Sequence, residues 1–94
     1  MLFVLFCEDK PDSQALRLAT RKAHLDYVAS HASSIRMAGP MLNDDGDTML
    51  GSLLIIDADD LTAARTVHEN DPYTRAGLWG SVVIRPFRAV VPQR

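Results

Sequence analysis

The spacing of apolar residues changes several times along the chain, and each change predicts a new element. Residues 2–7 form a short apolar run rich in β-branched and aromatic side chains, which predicts a strand. Residues 13 to about 31 are rich in helix formers and hold no glycine or proline. They predict a first helix, with Asp12 or Ser13 available to cap its start.

A hairpin and a second helix are predicted in the middle of the chain. Residues 35–42 and 49–56 both favour strands, and the sequence N-D-D-G-D between them carries an Asp-Gly pair typical of a hairpin turn. The aspartate-rich segment 57–60 can cap a second helix from Leu61 to about Asn70, where apolar residues keep helical spacing.

The last predicted strand, residues 81–90, contains Pro86, which cannot donate to a sheet ladder and therefore favours an edge strand or a bulged one. The element order is then βαββαβ, the ferredoxin-like arrangement of an α+β fold. Both helices cover one face of a four-stranded antiparallel sheet, and the fourth strand lies at an edge, as Pro86 requires. We expect residues 1–94 to form this one domain, because a chain of 94 residues supports a single core.

Two of the predicted strands are apolar at successive positions, so both of their faces are apolar. They are L-F-V-L-F-C at 2–7 and L-L-I-I at 53–56. Because two helices cover only one face of a sheet, the other face needs a partner. A homodimer joined sheet face to sheet face is the simplest closed solution, and we expect self-association of this kind.

Composition excludes several classes of protein. Hydrophobic residues make up 47% of the chain and charged residues 23%, as in globular domains, and the formal net charge is -2. Basic residues are scattered rather than collected in a stripe, so we expect no nucleic-acid partner. The apolar run at the start is too short for a signal peptide or a membrane span, so no membrane partner is expected.

Cysteine and metal-ligand patterns point away from disulfide and metal chemistry. Cys7 is the only cysteine, so no internal disulfide can form and we expect a reducing, cytoplasmic location. Nothing near Cys7 in the sequence lowers its pKa, which favours a buried structural thiol. The histidines and the acidic loop lack the ligand spacing of a zinc site or an EF-hand, and we expect neither a metal nor a cofactor.

Histidine is the side chain best suited to acid and base chemistry near neutral pH, and the chain has three. His31 and His68 fall near predicted helix C-termini, where the helix dipole favours an imidazolium and explains them. His24 lies beside Arg17 and Arg21, at the margin of an apolar helix face. The residues predicted to form that face are Leu18, Leu25, Val28, Ala29 and Ala32. Taken alone, His24 is better explained as an ordinary surface or half-buried histidine.

Asp71 stands immediately before Pro72, where the second helical pattern stops. Proline holds the preceding residue in an extended conformation, so we expect Asp71 to cap no helix downstream. The two helices lie side by side in this fold, which lets Asp71 hydrogen-bond the imidazole of His24, fix its tautomer and raise its basicity. The alternative is that Asp-Pro only starts a turn, and sequence spacing leaves both open.

Several motifs in order resemble those of one protein family. They are L-F-V-L-F-C-E-D-K-P at 2–11, R-K-A-H-L-D-Y-V at 21–28, A-G-P-M at 38–41, N-D-P-Y at 70–73 with A-G-L-W after it, and V-V-I-R-P-F-R at 82–88. Over essentially its full length the chain resembles the YCII-related, or YciI-like, proteins. The resemblance implies a dimeric α/β barrel of ferredoxin-like subunits, similar to muconolactone isomerase. It also implies a histidine and aspartate site in a cleft, matched here by His24 and Asp71.

The same motifs suggest further cleft residues, each with a structural alternative. Gly39 lets a backbone approach a ligand closely and Pro40 holds the turn, although Gly39 also suits a bulge. Tyr73 and Trp79 suit aromatic walls of a binding site or, alternatively, core or dimer contacts. Arg21 suits attraction of an anionic or phenolate substrate, or an ordinary solvated helix position.

Three functions remain open at this point. The leading hypothesis is a small enzyme without a cofactor, with His24 as general acid and base and Asp71 orienting it. The reaction is proton transfer, elimination or hydrolysis on a small cyclic or aromatic molecule, and the resemblance includes a chlorohydroxyhydroquinone dehydrochlorinase. The alternatives are a small-molecule binding or sensor domain and a purely structural dimerisation module.

Overall fold

A computed structural model of the chain describes residues 1–92, and its elements alternate much as the apolar spacing predicts. The predicted domain's last two residues, 93 and 94, lie outside the described residues. The elements are β1 (Leu2–Asp9), α1 (Gln14–Ser30), β2 (Ile35–Leu42), β3 (Met49–Asp57), α2 (Leu61–Asn70), α3 (Pro72–Arg75) and β4 (Trp79–Phe87).

The four strands form one antiparallel sheet in the order β2-β3-β1-β4. This order confirms the predicted ferredoxin-like arrangement. Among the strands of the described residues, β4 pairs only with β1, so it is an edge strand, and Pro86 lies within it opposite Phe3. The edge position that Pro86 predicts is therefore present, because an edge strand leaves part of its backbone without ladder partners.

Several predicted boundaries differ from the observed ones. Strand β1 runs two residues beyond Cys7, and β4 lies at Trp79–Phe87 rather than at 81–90. The short helix α3, Pro72–Arg75, has no counterpart in the prediction because four residues are too few to show helical periodicity. The predicted hairpin turn is present between β2 and β3, with Gly46 at a φ of 77°.

The core lies between the helices and one face of the sheet. Phe3, Leu5 and Cys7 alternate along β1 and are almost completely buried, as are Leu54 and Ile56 on β3. Burial is the main reason that the pKa of the Cys7 thiol is raised to about 12. The expected buried thiol is therefore observed, and it stays protonated near neutral pH.

Helix α1 buries a different face from the one predicted. Leu18 is 59% exposed and Leu25 46% exposed, whereas Arg17 is only 2% exposed and His24 7%. Of the predicted apolar face only Val28 packs against the core. The prediction was wrong because it assumed an apolar interior under α1, and this part of the interior is polar and holds a paired arginine.

The sheet face away from the helices is apolar and uncovered in the single chain. Phe6, Val83 and Phe87 on this open face are 40–44% exposed, and Met37 is 67% exposed. Strand pairing places them together, because directly paired residues of an antiparallel sheet share a face. The predicted two-sided strands are thus present.

The helices of the described residues can be compared with the length and hydropathy that a membrane span needs. No helix within residues 1–92 is both long enough and apolar enough to span a bilayer.

Candidate functional site

His24 and Asp71 meet across the junction between α1 and the end of α2. His24 Nδ1 lies 2.9 Å from Asp71 Oδ1 and 3.1 Å from Oδ2. Both side chains are buried, with Asp71 only 3% exposed. A carboxylate only accepts hydrogen bonds, so Nδ1–H donates and the neutral ring keeps its lone pair on Nε2.

The second imidazole nitrogen of His24 is open to the solvent-accessible space beside it. Nε2 makes no hydrogen bond to residues 1–92, where Nδ1 alone is paired. Over the same residues, no buried side-chain nitrogen or oxygen lacks a hydrogen-bond partner. Nε2 is therefore not buried, and a bound molecule can reach it.

Asp71 is aimed at His24 by its place between two helices. Its backbone is extended, with φ of -64° and ψ of 130°, as the following proline requires. Asp71 is nevertheless the N-cap of α3, because its Oδ1 accepts a hydrogen bond of 2.9 Å from the Tyr73 N–H. The expectation that Asp71 caps nothing was wrong: an N-cap residue is itself extended, and proline is favoured at the first helical position.

Tyr73 supports the imidazole of His24 from one side. The two rings are stacked, with centroids 4.1 Å apart and an angle of 20° between their planes. Trp79 meets the Tyr73 ring edge-on at 5.6 Å, and its indole N–H donates to Thr74 Oγ1 at 2.9 Å. Burial raises the pKa of the Tyr73 phenol, and the cations Arg17 and Arg21 oppose this effect. The stacking of Tyr73 on His24, supported by Trp79, limits rotation of the His24 ring.

Arg17 is a buried cation that the predicted site did not include. Its Nε and Nη2 donate to the two carboxylate oxygens of Asp9, each at 2.8 Å, and Nη2 also donates to Ser52 Oγ at 3.0 Å. Its guanidinium lies over the Tyr73 ring, 4.8 Å from the centroid. Burial disfavours the charge on Arg17, but the hydrogen bonds and charge of Asp9 outweigh burial and raise its pKa.

Sequence spacing contains a partial signal for Arg17 and none for Ser52. Arg17 precedes His24 by seven residues, or about two helical turns, so both lie on the same side of α1. Asp9 and Ser52 belong to other elements. Their approach to Arg17 depends on the tertiary fold, and no local pattern marks either residue.

His24 and Arg17 line a cleft of about 260 Å³ between α1 and strands β2 and β3. Its other polar lining residues are Arg21, Ser52 and Tyr73, and no acidic side chain among residues 1–92 lines it. Arg21 is exposed at the cleft margin. The lining therefore favours a small anion, or a neutral molecule on which negative charge develops.

The remaining walls of the cleft are mainly apolar and come from α1 and the hairpin of β2 and β3. They are Leu25, Val28, Ala38, Gly39, Pro40 and Met49. Gly39 pairs with Leu53, so a side chain at this position would point to the open face, and nothing lies within 4 Å of an added Cβ. Gly39 thus presents backbone to the cleft.

The structure brings most of the predicted site residues together, in two layers. His24, Arg21, Gly39, Pro40 and Tyr73 line the cleft itself. Asp71 lies behind His24, to which it is hydrogen-bonded. Trp79 lies behind Tyr73 and does not line the cleft.

Residues 1–88 match the family model of the YCII-related domain. The chain belongs to the YCII-related domain family. Two curated relatives named Protein YciI, from Escherichia coli (strain CFT073) and Shigella flexneri, are each 37% identical to this YCII-related domain over 97 aligned positions. In both cases the alignment covers 96% of this chain and 99% of the relative.

One solved structure has both a similar fold and a related sequence. It is 5-chloro-2-hydroxyhydroquinone dehydrochlorinase (TftG) from Burkholderia phenoliruptrix AC1100, in complex with 2,5-dihydroxybenzoquinone. The TM-score is 0.86 and the identity 33%, over 94% of each chain. This YCII-related domain is therefore similar, over nearly all of its length, to an enzyme that acts on a small aromatic molecule.

Proposed function

We propose that the chain is a small enzyme that transfers protons on a small cyclic or aromatic molecule without a cofactor. His24 is the general acid and base, and Asp71 orients it. The observation that carries this proposal is the buried contact of 2.9 Å between His24 Nδ1 and Asp71 Oδ1, with Nε2 left open to a basic cleft. The similarity to a dehydrochlorinase supports the class of substrate.

The geometry suggests how the reaction proceeds. Nε2 takes a proton from the substrate, and the imidazolium that forms is stabilised by Asp71, as in other histidine and carboxylate pairs. In an elimination, the leaving group departs with the electrons of its own bond while the electrons of the broken bond to hydrogen form a ring double bond. In an isomerisation, Nε2 returns the proton to another atom. Both outcomes use His24 in the cleft and Asp71 behind it.

The negative charge that develops during proton removal matches the cleft. Arg21 lines its margin, Arg17 lines it with its charge paired to Asp9, and no carboxylate of residues 1–92 lines it. A positive charge at the cleft margin stabilises an enolate or phenolate more than its neutral parent, which lowers the barrier for proton removal. This effect applies to cyclic ketones, lactones and phenols alike.

Substitution of His24 tests the proposal directly. We expect wild-type protein to convert at least one compound from a panel of chlorinated hydroxyhydroquinones, phenols and lactones, and His24→Ala to lose about 100-fold or more in kcat/KM. Turnover is measured from the chloride released and from the change in absorbance of the compound. His31→Ala is the matched control, since His31 is the C-cap of the same helix and its ring lies against Tyr27 instead of Tyr73.

Three results would contradict the enzyme proposal. Full activity of His24→Ala would remove His24 from the chemistry. A rise in melting temperature with panel compounds, without turnover, would favour the alternative of a binding or sensor domain. If panel compounds cause neither turnover nor a rise in melting temperature, the remaining alternative is a purely structural dimerisation module.

We further propose that two copies of the chain associate through their open sheet faces. The open face carries exposed Phe6, Met37, Val83 and Phe87, and it contains an apolar hollow of about 810 Å³. Exposed apolar surface of this kind is unfavourable in water and is commonly covered by a partner. A second copy supplies an identical apolar face, which closes the assembly at two chains.

A further inference from the structure

We propose that the Ser52 hydroxyl donates a hydrogen bond to an anionic oxygen of the ligand, and that the ligand is a planar ring carrying a phenolate or hydroxyquinone oxygen. Ser52 is then a binding residue, and Arg17 is the positioning residue that holds it. This inference rests on the proposed function, because it names the class of substrate that His24 would act on.

Strand pairing places Ser52 on the helix-covered face of the sheet, beneath α1. Ser52 lies opposite Cys7 on β1 and opposite Pro40 on β2, and it is only 3% exposed. Ser52 lines the cleft together with His24, so the small exposed part of Ser52 faces the cleft. A buried polar side chain therefore faces the same space as the open imidazole nitrogen.

The hydroxyl of Ser52 has a fixed acceptor role and an unused proton. Its oxygen accepts from Arg17 Nη2 at 3.0 Å, and within residues 1–92 Ser52 makes no other side-chain hydrogen bond. A hydroxyl carries one donor besides its acceptor sites, so the proton of Ser52 is available to a molecule in the cleft. Accepting from a cation also polarises the hydroxyl and strengthens it as a donor.

Arg17 holds the Ser52 oxygen in place because Arg17 is itself immobilised. Asp9 binds it through two parallel hydrogen bonds, and Tyr73 lies against its guanidinium. A donor that is fixed before the ligand arrives loses little entropy on binding, which increases its contribution to affinity. The arrangement therefore has the character of a prepared anion-binding site.

The position of Tyr73 relates this site to His24. The Tyr73 ring contacts Arg17 on α1 and also the His24 imidazole two turns further along. Ser52, His24 and Tyr73 line the same cleft, so one ligand in it can meet both the Ser52 hydroxyl and Nε2. The cleft volume of about 260 Å³ and its apolar walls suit a single ring of this kind.

A binding experiment with a matched pair of probes tests the inference. The probes are 2,5-dihydroxybenzoquinone, which is ionised at neutral pH, and hydroquinone, which is neutral. Isothermal titration calorimetry at pH 7.5 measures Kd for wild type, Ser52→Ala and Ser81→Ala. Ser81 is the control, because it is a serine on another strand whose hydroxyl donates to Glu8 outside the cleft.

We expect Ser52→Ala to weaken binding of 2,5-dihydroxybenzoquinone about tenfold or more, and binding of hydroquinone about twofold or less, because hydrogen bonds to charged groups are the stronger ones. Ser81→Ala should bind both probes as wild type does. Ser52→Ala removes no charge from the cleft, so its effect reports the hydrogen bond and not the attraction of Arg21.

Three outcomes would overturn the inference: unchanged binding of the ionised probe by Ser52→Ala, equal losses for both probes, or no saturable binding of the ionised probe by wild type. The same experiments distinguish failure of this inference from failure of the proposed function. If Ser52→Ala loses affinity as expected but no panel compound is converted, the anion site stands and the enzyme proposal does not. If conversion depends on His24 while Ser52→Ala binds normally, the enzyme proposal stands alone.

Discussion

At the scale of single residues, Asp71 serves two partners with one carboxylate. It caps α3 through the Tyr73 N–H and accepts from His24 Nδ1. The same Tyr73 whose backbone it caps stacks on the His24 ring. The start of α3 and the orientation of the imidazole are therefore coupled, because neither Asp71 nor Tyr73 can move without disturbing both contacts.

The substitution Asp71→Asn separates the two roles of Asp71. The asparagine oxygen can still accept from the Tyr73 N–H, so the cap is kept, but a neutral amide no longer stabilises an imidazolium. We expect kcat/KM to fall about 100-fold or more, with a melting temperature close to that of wild type. Activity on a converted panel compound and thermal unfolding are the measurements.

Asp60→Asn is the matched control for this effect. Asp60 caps α2 by accepting from the Ala63 N–H at 2.8 Å and has no contact with His24. The same change of side chain at this cap should leave activity intact. If Asp71→Asn lowers stability while activity is kept, Asp71 is only a helix cap.

At the scale of elements, the register of the central strands positions the site. Antiparallel pairing of β3 with β1 brings Ser52 opposite Cys7, next to Gly51 opposite Glu8. A bulge after Glu8 then places Asp9 opposite Trp79 on β4, near the guanidinium of Arg17. A shift of one residue in this register would turn Ser52 and Asp9 to the open face, because side chains alternate along a strand.

Gly51 is a position where that register leaves no space for a side chain. A Cβ added there would lie 2.2 Å from the Cys7 carbonyl oxygen, which requires movement of the backbone. We expect Gly51→Ala to lower the free energy of unfolding by about 2 kcal/mol or more, as overpacking does elsewhere. Urea unfolding measures the change.

Gly39→Ala provides the comparison for Gly51→Ala. An added Cβ at Gly39 has nothing within 4 Å, so this variant should keep nearly all of the wild-type stability. Equal stability of the two variants would show that β1 and β3 adjust to a side chain at Gly51.

The last turn of α2 makes stability depend on pH through His68. Burial lowers the pKa of His68 below its ordinary 6.5, although the carboxylates of Asp71 and Glu69 oppose the shift. The unfolded chain therefore binds this proton more readily than the folded chain. The free energy of unfolding should fall as pH drops below 6.5 and level off once pH passes below the folded pKa.

His68→Gln should remove this part of the pH dependence. Urea unfolding of wild type and variant between pH 5 and 7.5 gives the difference in slope, in which the contributions of other groups cancel. A variant whose stability changes with pH as steeply as that of wild type would exclude His68 as the source.

At the scale of the whole molecule, the helices and the cleft lie on one side of the sheet and the uncovered apolar face lies on the other. The two surfaces are thus available for different purposes. Association through the open face leaves the cleft of each copy accessible, since His24 and Ser52 face the helix side. The proposed dimerisation and the proposed ligand binding would therefore not compete for the same residues.

Phe6→Lys tests the association of open faces. Phe6 lies on the central strand of that face and is 40% exposed in the single chain, so a lysine there is tolerated by a monomer but places like charges in a two-fold interface. We expect wild type to sediment as a dimer and Phe6→Lys as a monomer in analytical ultracentrifugation.

Leu18→Lys is the control for a general effect of surface charge. Leu18 is 59% exposed on α1, away from the open face, and this variant should remain dimeric. A monomeric wild type, or dissociation of both variants, would contradict association through the open sheet faces.

The order and type of the longer elements could be predicted from the sequence because their signals are local. Periods of about 3.6 and 2 residues mark helices and strands without knowledge of the partner elements. Pro86 marked the edge strand for the same reason, since its lost N–H is a property of one residue. The Asp-Pro pair before α3 is also a local signal, and it fits an N-cap because an N-cap residue is itself extended and proline is favoured after it.

The tertiary structure alone decided which side chains form the site. Burial of Arg17 in place of Leu18 depends on Asp9, a partner on β1 that neutralises the charge. Ser52 reaches the cleft through strand pairing with residues more than ten positions away. The sequence by itself therefore determined the βαββαβ order and the two-sided sheet, because these follow from local periodicity. The polar interior under α1 arose only from contacts between distant elements, where the cost of burying a charge depends on its partner.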